Sequence, residues 1–298
     1  MNSYNGWLII NKALGPSSND AVRKVQRLFG KKNKVGHAGT LDPLAQGVLP
    51  IAIGEATKTV QYLMNAKKEY VFSITWGEER DTGDAEGAVI AKGGVIPLKQ
   101  DIINILPQFF GVTKQMPPKY SALKINGQPA YKLARSGQEV VLQPRDIIIE
   151  ELELIEHNVG DGFTSFRVLC GKGTYVRSLA VDIARALFTY GYVSFLKRTM
   201  VGGFSINNSI NLQDLLDIKD VNEAALHLLP VNFALEDLLS IELSEEQVKL
   251  LRQGMRIFLP KYIQNYDLTA QVSLKGILQA IVLINAGECK SIRVFNLF

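Results

Sequence analysis

From Tyr70 to Trp76 the chain alternates strictly. Tyr70, Phe72, Ile74 and Trp76 fall on one side, and Val71, Ser73 and Thr75 on the other. A period of two places a β-strand here, with its aromatic side turned toward a core. Further strand signals lie at 6–11, 48–53, 147–154, 163–170 and 195–204. Helical signals are interspersed. One covers about 19–29, behind the cap candidates Ser17, Ser18 and Asn19, with Val22, Val25, Leu28 and Phe29 as its apolar stripe. Others begin near Glu55, cover 100–110, and run from about 174 to 187 with Val176, Ala180, Ile183 and Leu187 on one side. Strands and helices mix without regular βαβ alternation, so the class is α+β and not a doubly wound parallel sheet. The polar stretch 77–87 reads as a loop. The stretch 116–145, punctuated by Pro117, Pro118, Gly127, Pro129, Gly137 and Pro144, reads as an extended, partly mobile excursion. Composition shifts at 230–239, and the tail at about 241–298 carries a helix capped by Ser244 followed by short strands with Gly turns.

The chain has 298 residues and is 47% hydrophobic, enough for a large domain with a sizeable core plus a small one. Its formal charge is only +4, but residues 1–68 hold ten Lys/Arg against three Asp/Glu, a local charge of +7. Such asymmetry suits a face that meets a polyanion, and suits a solvated helix face equally well. Two isolated cysteines, Cys170 and Cys289, fit a reducing cytosol, and without a CxxC pair they do not support structural zinc. The three histidines are scattered without metal-ligand spacing. No signal peptide or apolar run of transmembrane length is visible. The expectation is a cytoplasmic protein with no membrane, metal or organic cofactor.

The most informative stretch is Gly36-His37-Ala38-Gly39-Thr40-Leu41-Asp42-Pro43. It is a loop bounded by glycines in which Pro43 holds Asp42 out of helical conformation. Catalytic groups concentrate on such loops, although an Asp-Pro dipeptide alone marks a turn.

The octet resembles the GHxGTLDP catalytic loop of the TruB family of pseudouridine synthases, and the resemblance extends through 6–205. Lys12 with Ser17-Ser18-Asn19-Asp20 is similar to the family's N-terminal motif region. PLAQGVLPIAIG (43–54) and GEATK (54–58) follow the family pattern, as do Lys68-Glu69-Tyr70, the loop 80–84, PKYSALK (118–124), GKGTYVRSL (171–179) and Leu196-Lys197-Arg198-Thr199. Departures are Ala13 in place of the usual Pro and Ala180-Val181-Asp182 in place of a more acidic stretch. The tail resembles the family's PUA-like RNA-binding module only weakly.

The resemblance implies a pseudouridine-synthase fold: a central mixed, largely antiparallel sheet flanked by helices, with a small C-terminal β-rich PUA-like module. It implies a catalytic domain over 1–235 with an RNA-gripping insertion at about 116–145, and an RNA-binding module over 240–298. Asp42 would be the nucleophile that attacks the target uridine, at the base or at the sugar. Tyr70 would stack on the flipped uracil and relay a proton, although on its strand it also reads as core. Arg177 would pair with Asp42 and keep it ionised; a first-turn helix cation needs a nearby anion to offset the dipole. Leu196 would close the base pocket. His37 would fill the space of the extruded nucleotide or contact its neighbours. Lys12 would support the loop, and Tyr175 would bind substrate. Asp84 would contact RNA or order the site, while Asp81 reads as a turn former. The implied substrate is uridine 55 in the T stem-loop of tRNA, extruded because a stacked base is out of reach, and the implied state is a monomer. Two other readings share the same basic surface: a tRNA-binding folding chaperone, and a guide-dependent RNA pseudouridine synthase subunit.

Overall fold

The computed structural model describes residues 3–263 and 266–297. Its main feature is a ten-stranded mixed sheet. Eight of its strands form one path: β1 (Gly6–Lys12), β2 (Gln46–Ile53), β3 (Lys68–Trp76), β4 (Gly111–Gln115), β5 (Arg145–Asn158), β6 (Phe163–Cys170), β7 (Gly191–Val201) and β8 (Ile210–Asn211), in the spatial order β8-β1-β2-β7-β3-β6-β5-β4. Only β8–β1 and β2–β7 pair in parallel along this path. The short strand Val35–His37 adds to β2 beyond it.

The period-two pattern sorts side chains between two cores. On β1, Leu8 and Ile10 face one cluster with Phe72, Ile74 and Trp76, whereas Trp7 and Ile9 face a second with Phe204. Two helices cover the first face. The helix α1 (Ser18–Phe29) opens with a capping box between Ser17 and Asp20 and buries Ala21, Val25 and Phe29. The helix α2 (Val176–Ala186) buries Val176, Leu179, Ala180 and Ile183.

The tail forms a five-stranded sheet over residues 239–294, with a helix at Glu245–Arg252 whose cap is Ser244. It shares a core with the main sheet, because Leu278, Ile281 and Phe295 pack in the cluster of Trp7 and Phe204. Polar ties add to this: Lys58 Nζ donates to Val294 O at 2.9 Å, and Asn296 N to a Glu55 carboxylate oxygen at 2.8 Å.

Three local expectations need correction. Within the stretch read as a loop, Glu78–Arg80 is a strand paired with Val89–Lys92. Its polar residues lack apolar alternation, and the cross-strand pair Glu78–Lys92, at 2.9 Å, supports it instead. The excursion 116–145 contains a tight hairpin (Lys124–Ile125 with Gln128–Pro129) and the helix Ala130–Arg135. The strand expected over 195–204 begins at Gly191, runs to Val201 and turns back at Phe204–Ser205.

Candidate active site

Asp42 lies between the strand Val35–His37 and β2, in a turn closed by Ala45 N donating to Asp42 O at 3.0 Å. Three side chains hold this loop. Ser18, buried at the start of α1, both donates to Leu41 O and accepts from Leu41 N, each at 2.8 Å. Arg198 on β7 donates from Nη2 to Gly39 O at 2.9 Å and from Nε to Val48 O at 2.8 Å. Lys12 Nζ, at the end of β1, donates to Pro16 O at 2.8 Å, Ala13 O at 2.9 Å and Pro43 O at 3.3 Å. Its burial lowers the Lys12 pKa to about 8, against the opposing pull of the Asp42 carboxylate.

Arg177, in the first turn of α2, donates to Asp42 Oδ2 at 2.8 Å and to Asp84 Oδ2 at 3.2 Å. The same guanidinium donates to Thr82 O at 3.0 Å and Tyr120 O at 2.9 Å. Four contacts nearly exhaust its donors. Asp84 is buried, and its second oxygen accepts from Thr82 Oγ1 at 2.6 Å and Glu86 N at 3.0 Å. The two carboxylates thus offset a cation that opposes the helix dipole. They differ in access: the Asp42 side chain is 39% exposed, and the Asp84 side chain 3%. Asp42 Oδ1 has no protein partner among the described residues.

Asp42 and Arg177 stand between two cavities of about 310 and 300 Å³. The first is lined by Tyr70, Leu196, Lys68, Arg198 and Tyr175; the second lies toward Ser18, Asp84, Tyr120 and Arg135. Sheet register assembles the first, because Tyr70 faces Arg198 and Phe72 faces Leu196 across β3 and β7. Tyr70 therefore combines both readings of its strand: it packs at the edge of the first core and lines the cavity. Burial raises its pKa, which keeps a neutral phenol at neutral pH. Burial also raises that of Tyr175, whose backbone is gripped by the Gln115 amide through contacts of 2.8 and 3.1 Å.

His37 lines neither cavity. It sits on the strand beside β2, and its Nδ1 is buried without a partner among the described residues. Burial and, less strongly, Arg198 lower its pKa. Asp81 accepts from Ala88 N at 2.9 Å, in keeping with a turn former. Among the cavity residues that were not expected at the site are two buried cations of the first cavity. Arg198 is 1% exposed, and Lys68 is buried with Nζ donating to Ala66 O at 2.6 Å and Met64 O at 2.9 Å; burial lowers the Lys68 pKa to about 8. The signal was available: Lys68 precedes Tyr70, and Arg198 follows Leu196, by the two residues that return a strand to the same face.

Residues 26–176 match the N-terminal domain of the TruB family of pseudouridylate synthases, and residues 177–236 match the tRNA pseudouridylate synthase B C-terminal domain. The chain belongs to the TruB family. Relatives called tRNA pseudouridine synthase B match it along most of their length. That of Rhodopseudomonas palustris is 44% identical, covering 98% of this chain and 81% of its own. That of Rickettsia bellii is 42% identical, covering 100% and 99%. That of Anaplasma phagocytophilum is 41% identical, covering 98% and 99%. Among solved structures, a Cbf5-Nop10-Gar1 complex contains a chain of TM-score 0.74 and 25% identity, with 98% of this chain and 84% of that one covered. The mixed sheet with its β-rich C-terminal unit is thus a TruB-type pseudouridine synthase fold, and the chain is an isomerase of that family.

Proposed function

We propose that the chain converts uridine 55 in the T loop of tRNA to pseudouridine, with Asp42 as nucleophile. The observation that carries this reading is the 2.8 Å contact of Asp42 Oδ2 with Arg177 beside the cavity of Tyr70 and Leu196, with the second Asp42 oxygen unclaimed among the described residues. The names of the relatives support tRNA as substrate, and the basic N-terminal region suits a polyanion.

The isomerisation breaks the N1–C1′ bond, rotates the base, forms a C5–C1′ bond, removes the C5 proton and leaves a proton on N1. A positioned carboxylate divides this exchange into easier steps by attacking the sugar or the base. Arg177 fixes the carboxylate, Tyr70 stacks on the flipped base and relays the proton, and Leu196 closes the pocket. Lys12 steadies the loop through Pro43 O. Asp84 orders the site by pinning Arg177. Tyr175 contributes to substrate binding. His37 meets the RNA outside the base pocket. Residues 1–235 act as the catalytic unit, with the docked segment 116–145 gripping the T stem, and 240–298 act as a PUA-like RNA-binding module. The protein works as a cytoplasmic monomer.

Asp42→Asn tests this reading. The variant should fold, bind tRNA transcript and form no pseudouridine, read by mass-labelled mapping and by tritium release from carbon 5 of uridine. Full activity would remove the nucleophile. Wild-type activity on naked transcript separates a stand-alone enzyme from a guide-dependent subunit.

A further inference from the structure

The segment PKYSALK (118–124) carries a polar group that the proposed chemistry leaves unused. Ser121 is 4% exposed, and its Oγ is buried without a hydrogen-bond partner among the described residues. The Tyr175 phenol is near enough to be influenced by this hydroxyl, yet no hydrogen bond of ordinary geometry joins the two. Buried polar groups nearly always find partners, and one left without costs stability.

The backbone holds Ser121 in place from two sides. Tyr131 N donates to Ser121 O at 3.0 Å and Ala130 N to Leu123 O at 2.7 Å, so the start of the helix Ala130–Arg135 fixes one side. On the other, Arg177 Nη2 donates to Asp42 Oδ2 at 2.8 Å and to the carbonyl of Tyr120, next to Ser121, at 2.9 Å. One nitrogen thus ties the Asp42 carboxylate to the peptide that carries Ser121.

The lining residues sort the parts of a bound nucleotide. Tyr70 and Leu196 line only the first cavity, whereas Asp42, Arg177 and Ser121 line both. With the base against Tyr70 and Leu196, the shared wall meets the sugar, because Asp42 has to reach C1′ or a base atom close to the glycosidic bond. A phosphate suits this wall poorly, since Asp42 and Asp84 already set two carboxylates against one guanidinium. A serine hydroxyl both donates and accepts, which fits a neutral hydroxyl of the sugar. Its Oγ swings among staggered positions, and one such turn takes it from its dry resting place toward a group in a cavity.

We infer that Ser121 is a specificity-determining residue: its hydroxyl turns to the ribose of the target uridine and hydrogen-bonds the 2′-hydroxyl. This rests on the reading of Asp42 as nucleophile and of the first cavity as the base pocket. A buried group that waits for a substrate hydroxyl discriminates against a substrate without one, and the 2′-hydroxyl is what separates RNA from DNA at a single nucleotide.

The test uses T stem-loop RNAs whose target nucleotide is uridine or 2′-deoxyuridine. Their affinities are measured in Asp42→Asn, which binds without turnover, with and without Ser121→Ala. Ser121→Ala should weaken the uridine stem-loop about tenfold and the deoxyuridine stem-loop less than about twofold. Equal losses on the two, as a contact to the base or to a phosphate would give, overturn the inference. The urea midpoint should be unchanged or higher in Ser121→Ala, because the hydroxyl removed has no partner in the free chain. A fall in the midpoint, or a variant that does not fold, reveals such a partner and overturns the inference as well. Pseudouridine formed by Asp42→Asn would sink the nucleophile reading, while the ratio of affinities would still report on Ser121.

Discussion

Replacing Arg177 by Met should strand Asp84 more severely than Asp42. Asp84 is buried, and it would keep Thr82 Oγ1 and Glu86 N as donors but lose the Arg177 guanidinium, its only cation among the described residues. Asp42, at 39% exposure, would take up water in place of the guanidinium. An uncompensated buried charge costs about 3–5 kcal/mol. Removing a first-turn cation from α2 returns only about 0.3–1 kcal/mol. The net loss is about 2–5 kcal/mol, a large part of a total stability of about 5–15 kcal/mol. Adding Asp84→Asn removes the stranded charge and keeps an oxygen for Thr82 and Glu86, so the double variant should regain about 2–3 kcal/mol. Activity should not return, because Asp42 still lacks its partner; a loss of at least about 100-fold is expected in both variants. Urea unfolding midpoints at constant m-value and tritium release from carbon 5 measure the two effects. A double variant as unstable as Arg177→Met, or a loss below about 1 kcal/mol in the single, would refute the assignment of the cost to Asp84.

Ser18→Ala removes both 2.8 Å contacts with Leu41 and should cost about 1–3 kcal/mol; kcat should fall more than KM rises in steady-state kinetics, because the loosened loop carries Asp42. Burial lowers the pKa of Lys12 and of Lys68 to about 8, against 10.5 for an ordinary lysine. The unfolded chain therefore binds more protons between those limits, and each lysine should add about 1–2 kcal/mol of stability as pH rises from 8 to 9.5. Thermal unfolding over that range should show a smaller rise for Lys68→Met than for wild type, and equal slopes would count against the buried-cation argument.

Local order was readable where it depends on neighbouring residues. The alternation at 70–76 gives the observed strand its faces, and Ser17 and Ser244 sit at the expected caps. The octet ending at Pro43, Arg177 and Tyr70 stand out in the sequence by motif, and the fold brings Asp42 within 2.8 Å of Arg177 beside the cavity that Tyr70 lines. Legibility failed where partners are distant. The polar strand Glu78–Arg80 carries no periodic apolar signal and exists through pairing with Val89–Lys92. The segment 116–145 is tied at its start to α2 by Ser178 Oγ donating to Met116 O at 2.7 Å, a contact between residues 62 apart.

The chain by itself determined its repeats of two and 3.6, its caps, and an aspartate held before a proline, because steric limits and local hydrogen bonds act within a few residues. Tertiary structure alone decided that Tyr70 faces Arg198, that Gly47 lies against β7, and that Asp84 shares a guanidinium with Asp42. Those contacts join segments far apart in sequence. They are set by strand register, by the bulges in β7 and by shared cores, which no local window contains.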